Sequence, residues 1–343
     1  MRKIQISGPG GYEKLEIVDF EIESPKDNEV QIEVRAIGVN YADVCIRWGL
    51  YESAKQFIGW PITPGFEWSG IVKEVGSSRN SFKVGDEVFG VSFFGGYTSH
   101  LNVPIHQVFK KPQNLSFEQA AAVPTVFLTA YFALFQNMIL RENSKIIVHS
   151  AAGGVGSCLV QLANLKNIEV LGIVGSSHKV DYVKSLGAKS VIDKSKEDWF
   201  EVSRNFSPKG FDAVFDANGY TTLKKSFDLL APMGKLVSYG FHSMLPKKGG
   251  RVNWFKAIYA YLRTPRFNPL DMTNQNKSLL TFNLSFLFDQ VDILKESMEE
   301  IIRLLEAEQI SPPRVATYSL EEVGSAHRDL ESAKTVGKLI LLP

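Results

Sequence analysis

The sequence predicts an α/β chain in two parts, a β-rich module followed by a doubly wound parallel sheet. Three observations carry this. Up to about residue 125, short runs of alternating polarity are separated by frequent turn residues; beyond it, apolar runs of strand length alternate with helical stretches; and one of those runs ends in a glycine-rich turn that opens a helix. At 343 residues there is room for two cores, on a prior of roughly 150 residues per domain.

In the first part Glu29 to Val34 is the cleanest alternation, and turn signals recur at Gly10-Gly11, Asp27-Asn28, Gly76-Ser77 and Gly95-Gly96. In the second part Lys145–His149, Glu169–Val174, Ala188–Ile192, Ala213–Asp216 and Lys235–Tyr239 read as strands with helices between them, which predicts a parallel sheet. The pattern breaks after Gly240. A helix is expected from about Gln290 to Glu308, and a closing strand at Lys338–Leu342. Gln119 to Leu140 carries no charged residue and is long enough to cross a bilayer, but Pro124, Thr125, Thr129, Gln136 and Asn137 favour a buried helix.

Hydrophobic residues at 44% and charged residues at 22% are ordinary for a globular protein and argue against disorder and a multi-span membrane protein. The balance of 38 Lys and Arg against 37 Asp and Glu argues against nucleic acid as a partner. Cys45 and Cys158 cannot build a disulfide framework, and both are expected as free thiols. The N-terminus meets Gly8 and Pro9 before any apolar core forms, so no secretory signal is expected and the cytoplasm is the expected location.

The strongest motif runs Lys145-Ile-Ile-Val-His149-Ser150-Ala151-Ala152-Gly153-Gly154-Val155-Gly156, followed by helix-compatible Ser157 to Lys166. From Ala151 it reads A-x-G-x-x-G, a dinucleotide fingerprint with Ala at the first glycine position. Gly153 lets the backbone approach a pyrophosphate, Gly156 lets helix pack on strand, and the helix N-terminus faces the anion. An NAD site wants an acid at the end of the second strand; here Gly175-Ser176-Ser177-His178-Lys179 follows it, with none. Gly175 makes room, Ser176 and Ser177 offer hydroxyl donors, and Lys179 and Lys194 offer charge, so the expected cofactor is NADP(H).

With these motifs in place the whole chain resembles the medium-chain dehydrogenase/reductase superfamily, in its zinc-free quinone oxidoreductase branch. The residues that carry the resemblance are Gly38-Val39-Asn40-Tyr41-Ala42-Asp43 with Arg47 and Gly49-Leu50-Tyr51, Pro64-Gly65-Phe66-Glu67-Trp68-Ser69-Gly70, Val84 to Val88, Ala120 to Ala122, Leu128 to Tyr131, and Gly153 to Gly156. Within that branch it looks most like the vesicle amine transport protein group, through Ser207 to Gly210, Leu230 to Lys235, Phe282-Asn283-Leu284 and a long insertion after Gly240. The resemblance implies a GroES-like β-rich catalytic domain over 1–124 and 266–343 and a Rossmann NADP-binding domain over 125–265. It also implies a homodimer.

Zinc-dependent relatives hold their catalytic metal through a Cys at the position of Asn40 and a His at the position of Phe66. Asn and Phe cannot replace them, the four-Cys structural lobe is missing, and the histidines at 100, 106, 149, 178, 242 and 327 have no ligand spacing, so no metal is expected. The implied chemistry is hydride transfer from nicotinamide to a quinone or an α,β-unsaturated carbonyl. By resemblance Asn40 lies beside the nicotinamide and hydrogen-bonds the substrate oxygen, Tyr51 donates a proton or orients substrate, and the backbone of Phe282, Asn283 and Leu284 contacts nicotinamide. Asp43 and Arg47, at i, i+4, are expected as an ion pair shaping the pocket. Relatives with quinone sites carry Tyr where this chain has Cys45, which removes one candidate proton donor; as a small buried residue Cys45 needs no reactive role.

Residues 243–270 hold Lys247, Lys248, Arg251, Lys256, Arg263 and Arg266 with no acid. On helical spacing Val252, Phe255, Tyr259 and Leu262 share a face flanked by Trp254, Ile258 and Tyr261, with Asn253, Lys256 and Arg263 opposite. Two readings follow: a lid over the active site or against a partner subunit, or an interfacial helix making peripheral contact with an anionic membrane. On the second, the chain is a weakly active or non-catalytic NADPH-binding protein that docks on lipid or on a protein partner. Without these cations the chain holds 32 Lys and Arg against 37 Asp and Glu, so its neutrality sums an acidic body and a basic insertion.

Overall fold

The structure, a computed structural model, describes residues 1–77, 81–244 and 252–343. Its chain divides into two units, Met1–Leu128 with Ser285–Pro343 and Thr129–Lys247 with Val252–Leu284. The first opens with an antiparallel pair, β1 (Arg2–Gln5) and β2 (Glu16–Asp19). There follow β3 (Glu29–Val39), α1 (Tyr41–Arg47), α2 (Glu52–Phe57), β4 (Glu67–Val75), β5 (Glu87–Val91), β6 (His100–Pro104), β7 (Val108–Lys110) and α3 (Phe117–Ala121). The alternation at Glu29–Val34 marks only the start of β3. The strand runs on to Val39 through two register shifts in its pairing with β4, and its later residues are buried, so alternation is lost there. Val30, Ile32, Val34, Ile37 and Val39 pack with Trp68 and Val72 in this unit's core.

The chain passes between units inside α4 (Pro124–Tyr131), which a π-helical turn at Phe132–Gln136 continues. The uncharged stretch Gln119–Leu140 is therefore several short helical pieces, broken before Pro124, which lacks the N–H a continuing helix needs. Among the described residues no helix is long and apolar enough to cross a membrane.

In the second unit β8 (Lys145–His149), α5 (Gly154–Asn164), β9 (Glu169–Val174), α6 (Val180–Ser185), β10 (Ser190–Asp193), α7 (Trp199–Phe206), β11 (Phe211–Asp216), α8 (Leu223–Asp228) and β12 (Leu230–Ser238) alternate as expected. Beyond them come α9 (Trp254–Arg263), α10 (Pro269–Gln275) and β13 (Ser278–Thr281). The sheet order is β10-β9-β8-β11-β12-β13, every pair parallel, and the order reverses between β8 and β11. Ligands of such sheets bind at the strand C-termini beside that switch point.

The boundary expected at 265/266 lies later. β13 adds to β12 with Lys235 opposite Ser278, so residues 266–284 build the Rossmann unit rather than the GroES-like one, and the first unit resumes at Ser285. It closes with α11 (Val291–Glu306), β14 (Val315–Ser319), α12 (Val323–Glu331) and β15 (Lys338–Leu342). β15 lies between β14 and β3, and the pairing of Leu339 with Val39 sets Lys338 opposite Asn40.

The insertion helix forms, but with its small face inward. Ala260 is fully buried and Ala257 half-buried, while Phe255 is 90% exposed, Tyr261 and Leu262 each 71% and Trp254 62%. Asn253 belongs to no polar stripe. It caps α9, its Oδ1 accepting the Lys256 N–H at 3.0 Å. The aromatic face is thus open to solvent. Lys247, Lys248 and Arg251 lie outside the described residues.

Candidate functional site

The fingerprint builds a tight strand-to-helix turn. After β8, Ser150 takes φ +54°, Gly153 donates its N–H to Ser150 O at 2.9 Å, and α5 begins at Gly154, three residues earlier than the sequence suggested. A Cβ on Gly156 would lie 2.3 Å from Ser150 O and 2.8 Å from Ala151 Cα, so only glycine lets the helix sit this close. A Cβ on Gly153 would meet nothing within 4 Å but Ser150 O at 3.3 Å, an open approach for a ligand. Ala151 is buried, and no side chain caps the first turn, whose Gly154, Val155 and Gly156 N–H groups have no intrahelical acceptor.

At the end of β9 the expected cations do gather. Lys179 is 7% exposed, and burial followed by the nearby Lys194 charge lowers its pKa below the usual lysine range. Lys194 Cε would lie 3.9 Å from a Cβ on Gly175. The two serines differ. Ser176 Oγ lies 3.2 Å from His178 Nδ1 at the surface, whereas Ser177 donates its hydroxyl to Asp193 Oδ2 at 2.6 Å and so does not present the free donor expected of it. Asp193, from β10, also takes the Ser195 N–H and hydroxyl at 2.9 and 2.7 Å, and these bonds hold its pKa below the usual carboxylate range.

Sequence reasoning missed a group of buried polar residues after β11 and at the end of β12. Asn218 follows β11, Ser238 ends β12, and Ser243 donates its backbone N–H to Asn218 O at 2.8 Å. Asn218 Nδ2, Ser238 Oγ and Ser243 Oγ are buried without a protein hydrogen-bond partner. Such orphaned donors cost stability unless a ligand or water takes them. Lone polar residues after strands carry no spacing signal, so only the fold assembles them. The fit to a dinucleotide phosphate therefore rests on the open turn and the paired lysines. Phe282 directly follows β13, its ring 4.9 Å from Phe132 and 6.4 Å from Tyr239; Asn283 comes next and Leu284 opens a 3-10 turn.

In the first unit Asn40 is 8% exposed. Its Nδ2 donates to Glu67 Oε1 at 2.8 Å, its Oδ1 accepts from the Lys338 ammonium, and its backbone N–H donates to Asp43 Oδ2 at 2.8 Å. Zinc does not fit here. Asn40 and Phe66 are not ligands, and the Lys338 ammonium already stands 2.6 Å from Glu67 Oε1 as its cation. Among the described residues no three His, Cys, Asp or Glu side chains are grouped to hold a metal. Tyr51 packs edge-on against Phe66 and Phe94 at 5.8 and 6.4 Å. Burial, then the Asp43 charge, pushes the Cys45 thiol up to about 12, so it is not a thiolate near neutrality.

The expected Asp43–Arg47 pair does not form. Arg47 bonds Glu331 at 2.6 Å, both side chains fully buried, and Glu331 also accepts the Tyr12 hydroxyl at 2.7 Å. Asp43 instead accepts the N–H of Gly65 at 2.9 Å and the Tyr97 hydroxyl at 3.1 Å. Burial raises Asp43 to about 7 despite these bonds. His327 joins the two groups. Arg47 Nη1 donates to its Nδ1 at 3.4 Å, which leaves Nε2–H to donate to Tyr97 Oη at 3.2 Å. Helical spacing lost here because α12 brings a buried carboxylate that the sequence holds far away.

Residues 26–113 match the alcohol dehydrogenase GroES-like domain and residues 186–341 the zinc-binding dehydrogenase family. The chain is 34% identical over 341 residues to the synaptic vesicle membrane protein VAT-1 homolog of Danio rerio, covering 99% of this chain and 69% of that protein. Among solved structures, the Escherichia coli quinone oxidoreductase complexed with NADPH aligns with a TM-score of 0.85 and 32% identity over the whole of both chains. The CurK enoyl reductase aligns with a TM-score of 0.84 and 27% identity, covering 99% of this chain and 98% of that one. On fold, site residues and relatives alike, the chain belongs to the medium-chain dehydrogenase/reductase superfamily, in the zinc-free quinone oxidoreductase branch that includes the VAT-1 homologues.

Proposed function

We propose that this protein is an NADPH-dependent reductase of quinones or α,β-unsaturated carbonyls. The observation that carries the reading is the pairing of buried Lys179 with Lys194 at the end of β9, beside the open turn of α5 and with Asp193 already occupied by Ser177 and Ser195. This arrangement favours a 2′-phosphate over a free ribose hydroxyl. Ala151, Gly153, Gly154, Val155 and Gly156 cradle the pyrophosphate; Ser176 and the two lysines face the 2′-phosphate; Phe282, Asn283 and Leu284 line the nicotinamide end. The nicotinamide, when bound, supplies a hydride to an electron-poor carbon of the acceptor. Asn40 donates a hydrogen bond to the acceptor oxygen as charge develops there, and Tyr51 orients the acceptor or protonates it. The relatives described as a quinone oxidoreductase with NADPH and as an enoyl reductase support both acceptor classes.

Loss of reduced-nicotinamide absorbance on adding quinones or enones tests the activity. Lys179→Ala is expected to weaken NADPH binding roughly 10- to 100-fold while leaving NADH nearly unchanged, since a charge-assisted bond of about 1.5–3 kcal/mol is lost for one ligand only. Equal weakening of both nucleotides would defeat the phosphate assignment. A homodimer is part of the proposal, read by sedimentation equilibrium.

A second reading concerns α9, whose exposed Trp254, Phe255, Tyr261 and Leu262 stand beside the cations Lys256 and Arg263. Apolar side chains ringed by positive charge suit an anionic membrane surface, and relatives named synaptic vesicle membrane proteins favour that partner. Cosedimentation with phosphatidylserine vesicles is expected to fall several-fold in Phe255→Ser/Leu262→Ser and at raised salt. Salt-independent or absent binding of the parent protein would remove this reading.

A further inference from the structure

We propose that Lys338 is a positioning residue that fixes and polarises the Asn40 carboxamide, so that the amide meets its ligand as a hydrogen-bond donor and the site selects acceptors presenting a carbonyl oxygen. This rests on the reading of Asn40 as the group that contacts the acceptor.

The geometry is a closed triangle. Lys338 donates to Asn40 Oδ1 and, at 2.6 Å, to Glu67 Oε1; Asn40 Nδ2 donates to the same Glu67 oxygen at 2.8 Å. The Thr125 N–H holds the other carboxylate oxygen at 2.8 Å. Lys338 is 4% and Glu67 0% exposed, so water does not compete for these bonds. The seat for the carboxylate is cut into β3, where a Cβ on Gly38 would lie 2.4 Å from Glu67 Oε1. The backbone of Asn40 is held as well, through Asp43.

This environment decides which way the amide points. Turned over, its NH2 would face an ammonium and its oxygen a carboxylate, exchanging two charge-assisted bonds for two repulsions. In the observed orientation Oδ1 is occupied by the ammonium, and of the two Nδ2 hydrogens one goes to Glu67. What remains to offer a ligand is one N–H, together with a second lone pair on Oδ1 that the ammonium weakens as an acceptor. A ketone, quinone or enone oxygen accepts the N–H directly, whereas an alcohol must place its own proton on the weakened Oδ1 lone pair. The ammonium on Oδ1 also draws electron density from the amide, so the remaining N–H becomes a stronger donor as charge builds on the acceptor oxygen. Lys338 needs no contact with substrate to do this.

Two variants and two readouts test it. In Lys338→Met the Glu67 charge is left buried without its cation. Lys338→Met/Glu67→Gln removes both charges, so it replaces the single variant if that one does not fold. The Asn40 side-chain amide, assigned in 15N spectra by its loss in Asn40→Asp, is expected to show slowly exchanging protons in the parent and to shift and exchange faster in the variant. With a quinone or enone, kcat is expected to fall roughly 10- to 100-fold while the NADPH Kd stays within about twofold, a split that general loosening of the fold would not give. An unchanged amide signal, an unchanged kcat, or parallel losses in kcat and NADPH binding would overturn the proposal. If the parent protein reduces none of the acceptors, the reductase reading fails, and the amide spectra still decide whether Lys338 holds Asn40.

Discussion

Gly172 on β9 is the counterpart of Ala151. A Cβ at Gly172 would meet Ala151 Cβ at 3.2 Å and Val183 Cγ1 at 2.8 Å, so the methyl that departs from the glycine fingerprint is housed by a glycine on the neighbouring strand. Gly172→Ala is expected to destabilise the protein by about 1–3 kcal/mol and to weaken NADPH binding as the turn shifts; Gly172→Ala/Ala151→Gly is expected to recover part of both, measured by calorimetric unfolding and nucleotide titration. The fingerprint itself was legible because strand, turn and helix are contiguous. Its compensation was not, since Gly172 reads as one more glycine in an apolar strand. The same holds for Ser177. Its hydroxyl reads as a free donor in the sequence, but β10 places Asp193 2.6 Å away.

Elements with a strong period were read within a few residues, among them β8, β9, α5, α11 and β15. The misses have a common cause in tertiary partners. β13 looked like part of the returning unit because its short run Ser278–Thr281 has no pattern of its own; its place is set by the parallel bonds β12 offers. The amphipathic pattern of α9 leaves two readings open, since it cannot say whether a large apolar face turns inward. Small Ala257 and Ala260 pack instead, and the aromatic side stays open. The Asp43–Arg47 pairing drew on helix spacing alone, and α12 overrode it by bringing Glu331 to a guanidinium that is fully buried.

Across the whole molecule, buried titratable groups set the response to pH. Burial lowers His149, His242 and His327, with His242 pushed down to about 4. As pH falls below about 6.5 the unfolded chain takes up these protons before the folded one, so stability is lost on acidification. Asp43, raised to about 7, has the opposite sign. The folded state binds its proton first, so its contribution is complete below the unfolded carboxylate pKa and is lost as pH rises through about 7. Three histidines against one aspartate predict a net fall in stability from pH 7.5 to 4.5 in scanning calorimetry. His242→Asn should make that fall shallower, by at most about 3 kcal/mol at its full extent, and Asp43→Asn should make it steeper. A fall of equal depth in all three proteins would show that these groups do not govern it.

The placement of β15 between β14 and β3 also bears on how the protein is made. The ammonium that bonds Asn40 follows it by 298 residues, after every strand of the parallel sheet. During synthesis the nucleotide-binding unit has all of its chain by Leu284, while the first unit still lacks a strand from the interior of its sheet. On the proposed function, a nascent chain can therefore hold cofactor before it can orient an acceptor, and hydride-transfer competence waits for β15.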